Sequence, residues 1–144
     1  MMKEAYCSFE VAKLMKEKGF NEPCFYYYKN KDLMFSPFLK GRNSYQTDTY
    51  SAPTHQMAMA WLREVHNIFI DVHLSFAEDP EAYPAVYYVY ILDAKSGNSL
   101  LEKAASISEL NPLMDVSNHN VPINFDSPEK AVEAALKYTL ENLI

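Results

Sequence analysis

The stretch from residue 51 to residue 76, SAPTHQMAMAWLREVHNIFIDVHLSF, changes its period halfway along, and that change decides the fold. Thr54, Ala58, Trp61, Leu62 and Val65 recur at spacings of three and four, with Met57 at the edge of the stripe. Such spacing marks a helix that buries one face. Ser51 is the first candidate N-cap, with Pro53 in the first turn, where a missing backbone N–H costs nothing. Thr54 competes with it for the cap. Asn67 is the candidate C-cap, because Asn tolerates the left-handed conformation that ends helices. From Ile68 the period becomes two. Ile68, Ile70, Val72, Leu74 and Phe76 fall on one face of a strand, and Phe69, Asp71, His73 and Ser75 on the other. Trp61, the only tryptophan, is expected to contribute most to the core.

Working outward, Ser8 to Lys18 reads as a short helix capped by Ser8 and stopped by Gly19. Pro23 opens a strand, CFYYYKN, of residues that favour β structure. Asn30-Lys31-Asp32 is a turn, and LMFSPFL is the returning strand, which Pro37 places at an edge or at its own end. The polar segment 41–50 reads as a loop. Residues 77–84 are a polar connection. Ala85 to Asp93, AVYYVYILD, is apolar on both faces and therefore expected at the centre of a sheet. Lys95 to Asn98 is a turn, 99–107 a strand in preference to a short helix, and 108–124 an irregular connection. Ser127 then caps a final helix that has Pro128 at its first position and Glu129 just inside. The expected fold is α+β: one antiparallel sheet of about 4–5 strands with three helices packed mainly on one face, in a single domain covering 1–144.

Composition narrows the function. A chain of 144 residues with an apolar share of 49% is large enough for one proper core. No apolar run approaches the roughly 20 residues that cross a bilayer, so no membrane association is expected. The opening MMKEAYCSFEVAKLM scatters its charges and lacks an apolar signal core, which points to a cytoplasmic protein. The net charge of −6 argues against a general affinity for nucleic acid. Cys7 and Cys24 have no metal-ligand spacing and read as buried thiols rather than a disulfide.

The pattern of CSFEVAKLMKEKGFNEPCFYYY at 7–28, SAPTHQMAMAWLREVHNIFIDV at 51–72 and FDSPEKAVEAALKYTLENL at 125–143 resembles a group of small uncharacterised proteins of gut bacteria, their phages and their mobile elements. The resemblance covers somewhat under half of the chain. It implies a small intracellular protein of phage or mobile-element context, and it carries no activity onto any residue.

No catalytic motif is recognisable, and no cofactor or metal is expected. With 3 glycines the chain has no phosphate-cradling loop. Ser51, Thr54 and Ser127 are helix-start hydroxyls without a nucleophile elbow, so capping explains them. Asp71 and His73, two apart on one strand face, are weak polar-site candidates for an acid/base or ligand pair, with His55, His66 or Glu64 as a conceivable third group. The ordinary reading of that pair is a partly exposed sheet face. His66 is expected at the helix C-terminus, where a protonated imidazole is favourable.

The unusual quantity is the aromatic share of 14%, including 11 tyrosines and 8 phenylalanines. Tyr26, Tyr28, Tyr88 and Tyr90 put aromatic side chains on strand faces, and an uncovered aromatic face usually marks an interface. The expected role is therefore a non-catalytic protein–protein interaction or self-association module, a homodimer in the simplest form. The alternative is a nucleic-acid accessory protein that stacks bases on those tyrosines. The second half does have the element order of a double-stranded-RNA-binding domain. Its last helix, however, opens Ser127-Pro128-Glu129-Lys130, a poor phosphate clamp, and such binding would need Lys29, Lys31, Lys40 and Arg42 on one surface.

Overall fold

Each helix begins where a hydroxyl can accept a free backbone N–H. The computed structural model describes residues 2–40, 43, 47–75, 81, 86–100 and 124–144. In α1 (Phe9–Glu17) the Ser8 hydroxyl accepts the Val11 N–H at 3.2 Å. In α2 (His55–His66) Thr54, not Ser51, accepts the Met57 N–H, also at 3.2 Å. In α3 (Pro128–Asn142) Ser127 accepts the Lys130 N–H. Gly19, at φ +93°, and Phe20 close α1 with hydrogen bonds back to Lys16 and Met15, the double bond of a Schellman stop. Asn67 ends α2 at φ +59°, as its residue type predicts.

The strands form two antiparallel sheets. β1 (Cys24–Lys29), β2 (Asp32–Lys40) and β3 (Thr49–Ser51) stand in the order β2-β1-β3. β4 (Ile68–Ser75), β5 (Val86–Asp93) and β6 (Asn124–Phe125) stand in the order β4-β5-β6. The α+β class with three helices and antiparallel pairing is as the sequence predicts. The strands are divided between two sheets of three, because β3 returns to β1 across the first sheet before the chain enters α2.

Helix α3 supplies the bridge between the halves, packing on α1, α2, β4, β5 and β6. Two of its three alanines, Ala131 and Ala135, are fully buried, as are Leu136 and Leu140. Beneath it lie Ile70, Val89 and Ile91 from β4 and β5. Trp61 joins this core edge-on to Phe20, with ring centres 5.5 Å apart. β5 is central in its sheet, as its doubly apolar run implies.

Several local expectations need correction. Ser51 does not cap α2; it closes β3 and is fully buried, and the loop expected over 41–50 gives Thr49 and Tyr50 to that strand. Pro53 precedes the helix, and its carbonyl accepts the Cys7 N–H at 2.9 Å. Val65 lies on the predicted stripe yet is 60% exposed, because no described residue covers the last turn of α2 there. Leu74, near the far end of β4, is exposed for the same reason. Ser99 bridges Leu92, and residues 101–107 of the expected strand lie outside the described residues, as do 76–80 and 108–123.

Candidate functional site

The β1–β2 hairpin turns over Asn30 and Lys31, at φ +51° and +66°. Two consecutive left-handed residues make the tight turn whose twist matches paired strands. Asn suits that position, whereas Lys31 adopts it at some cost. From the turn the register runs Lys29 to Asp32, Tyr28 to Leu33, Tyr27 to Met34 and Tyr26 to Phe35. Beyond Phe35 it shifts, so that Cys24 faces Lys40. The irregular stretch is locked by the Ser36 hydroxyl, which accepts the Phe38 N–H and donates to the Phe38 carbonyl.

Among the described residues β2 is an edge strand, and it is covered with exposed apolar side chains. Leu33, Met34, Phe35, Phe38 and Leu39 are 42%, 43%, 60%, 67% and 54% exposed, and Phe25 on β1 adds 48%. Phe25 and Phe35 stack on each other, with centroids 6.3 Å apart. The sequence signal for this surface was Pro37 inside an apolar run, which marks an edge strand.

Of the four tyrosines singled out from the sequence, Tyr26 and Tyr28 belong to this hairpin but are half-buried. Tyr26 lies between Tyr6 and Phe35. Tyr28 donates its hydroxyl to the Cys7 carbonyl at 2.8 Å and meets Phe9 edge-on. Burial, then the nearby Glu133 carboxylate, raises the Tyr28 pKa. Tyr28 thus ties the first sheet to the N-terminal segment.

Tyr88 and Tyr90 stand on the outer face of the second sheet. Tyr90 is 41% exposed and Tyr88 half-buried. Asp71 and His73 share that face, with carboxylate and Nε2 2.7 Å apart and the His73 ring edge-on to Tyr90. The pair is largely solvated, and an exposed ion pair of this kind contributes about 1 kcal/mol or less. The other polar groups considered for it are engaged elsewhere. His55 meets Glu133, and Glu64 meets Arg63. His66 sits edge-on to Trp61, where burial lowers its pKa and so favours the neutral ring. The protonated imidazole expected at that helix end is not what this environment supports. Among the described residues no group of three His, Cys, Asp or Glu side chains is placed to hold a metal.

A polar junction that sequence reading missed joins the starts of α1 and α2 to the second turn of α3. Glu133 Oε1 accepts the Ser8 N–H at 2.8 Å and lies 2.9 Å from His55 Nε2. Burial pushes the Glu133 pKa up, but the His55 and Ser8 hydrogen bonds outweigh it and hold the carboxyl below its usual range. Cys7 lies nearby, fully buried, and burial pushes its thiol well above the ordinary value. Cys24 is likewise raised to about 11. Neither thiol has the character of a nucleophile. A cavity of about 310 Å³ beside the junction is lined by Glu4, His55, Gln56 and Glu129, among others. A second, of about 350 Å³, lies between α2 and the β4 edge, against Met59, Arg63 and Phe69.

Lys29 and Lys31 lie at the tip of the hairpin, with the Lys31 ammonium 5.9 Å from the Phe9 ring centre. Arg42 and the Lys40 side chain lie outside the described residues. No helix among the described residues is long and apolar enough to cross a membrane. No protein-family model, curated protein or solved structure compared with the chain matches it.

Proposed function

We propose that the protein is a non-catalytic interaction module that associates with a second copy of itself through the apolar surface of the β1–β2 hairpin. The observation that carries this reading is the cluster of Phe25, Leu33, Met34, Phe35, Phe38 and Leu39, all large, apolar and exposed on one hairpin. At the exposures these residues have, each copy offers on the order of 600 Å² of apolar side chain, near the roughly 800 Å² per partner of a standard interface. The chain carries a net charge of −6, yet residues 33–39 carry none, so this is where two acidic copies meet without repulsion. The outer face of the second sheet is the weaker candidate, because the Asp71–His73 pair lies on it and would have to be desolvated.

Light scattering tests the reading. The wild-type protein should have twice the chain mass over a range of dilutions and be insensitive to salt. Phe35→Glu should reduce it to one chain mass with an unchanged circular dichroism spectrum, whereas Tyr90→Ala should leave the dimer intact. A wild-type monomer at all concentrations, or a dimer indifferent to Phe35→Glu, would overturn it.

A further inference from the structure

The backbone of β2 specifies how the two copies meet. The Ala52 N–H donates to the Tyr26 carbonyl at 2.9 Å, so the main-chain groups of Tyr26 point towards β3 and away from β2. Hydrogen-bonded and non-bonded pairs alternate along an antiparallel ladder. The Tyr26–Phe35 pair is therefore a non-bonded one, and so, two residues on, is Tyr28–Leu33. The N–H and C=O groups of Phe35 and Leu33 consequently point outward from the edge of the sheet, where no other described strand pairs with β2. Those of Met34 and Asp32 point inward to β1.

The geometry points to a symmetric β2-to-β2 pairing about a two-fold axis at Met34, with Leu33 of each copy hydrogen-bonded to Phe35 of the other, giving one continuous six-stranded sheet. This rests on the self-association reading above and adds the register. The two outward residues are two apart, so a two-fold axis between them makes each the partner of the other, and four main-chain bonds form. The pairing stops at Ser36. Pro37 has no N–H, and the Phe38 N–H is already held by the Ser36 hydroxyl, so the strand cannot continue as a template. The arrangement is closed at β2: the bonding edge of one copy is consumed by that of the other. Side chains follow the backbone. Leu33 and Phe35 of each copy lie beside each other on one face, and Met34 meets its counterpart on the opposite face.

In this register the two Met34 residues form a non-hydrogen-bonded pair, with Cα atoms about 4.5 Å apart, within the range a disulfide spans. The test is cysteine cross-linking of the full chain, which the buried native thiols do not disturb. Under mild oxidation Met34→Cys should form a covalent dimer at least about tenfold faster than Phe38→Cys. Hydrogen exchange supplies a second reading without substitution. The Leu33 and Phe35 amides should slow at least about tenfold from dilute to dimeric protein, while the Met34 amide, already bonded to β1, should not change. If the protein is a dimer broken by Phe35→Glu but Met34→Cys cross-links no faster than Phe38→Cys, the register is wrong and the hairpin association stands. If the protein is a monomer, both fail together.

Discussion

The two sheets use the same kind of sequence to opposite ends. β5 and β2 are both runs of large apolar residues with side chains on both faces. β5 lies between β4 and β6 with α3 against it, and its Val89 and Ile91 are buried. Among the described residues β2 has one neighbouring strand and no helix packed extensively on it, and its Phe35 and Phe38 are mostly exposed. A doubly apolar strand buries its side chains only where neighbours and covering elements meet it. Around β5 described elements supply both neighbours and cover the inner face, so Val89 and Ile91 are core; along β2 they do not, and its apolar side chains stay exposed.

Five substitutions would break or sharpen that contrast. The largest effect should come from Ile91→Ala, which opens a cavity under α3 and should cost about 2–5 kcal/mol in chemical denaturation. Phe38→Ala should leave the unfolding free energy of the monomer within about 0.5 kcal/mol. Equal losses at the two sites would end the distinction between a closed and an open sheet.

Glu133→Gln should be next, at about 1–3 kcal/mol, because it removes the negative charge that strengthens the hydrogen bonds with His55 and Ser8 and so weakens the junction that holds the helices on the second sheet. Its pH dependence has a definite sign. The folded pKa of Glu133 is depressed, so its contribution is full above the unfolded value of about 4.3 and is lost as pH falls through the folded one. Unfolding measured from pH 7 to pH 3 should show a shallower acid loss in Glu133→Gln than in the wild type.

Ser127→Ala removes the cap of α3 and should cost about 1 kcal/mol, with thermal melting as the readout. Asp71→Asn should change stability least, by less than about 0.5 kcal/mol, since its partner His73 is solvated. A larger loss there would mean that the outer face of the second sheet is more closed than its exposure indicates.

What could be read in the sequence was local. The caps at Ser8 and Ser127, the stops at Gly19 and Asn67, and the switch from period three-to-four to period two at Ile68 each depend on a few adjacent residues. What could not be read depended on distant ones. β3 is three residues long and exists because Thr49 to Ser51 pairs with β1, 20 to 24 positions earlier. Tyr28 reads like Tyr90 on paper; it is half-buried because Cys7 and Phe9 arrive beside it from another element. The Glu133 junction had no sequence signal, since Ser8, His55 and Glu133 are brought together only when α3 docks. The polar pair Asp71 and His73 was legible as a shared face, but that face alone does not make a site. The apolar surface was legible only in part: Pro37 marked β2 as an edge, while the tyrosines drew the eye towards side chains that are partly core.

The turn at Asn30 and Lys31 also sets an order in time. A hairpin closed by so short a loop forms in about 1–10 μs, and it needs nothing from the rest of the chain. The second sheet needs β6 and α3, whose partners lie some tens of residues away along the chain, and contacts of that separation form late. The apolar edge is therefore sampled early, in a hairpin that on its own is only marginally stable, while the remaining chain is still unfolded. During that interval an unguarded edge would recruit any nascent strand nearby. The Ser36 lock and Pro37 shorten the window of main-chain groups on offer, which limits pairing with a wrong neighbour while the chain folds.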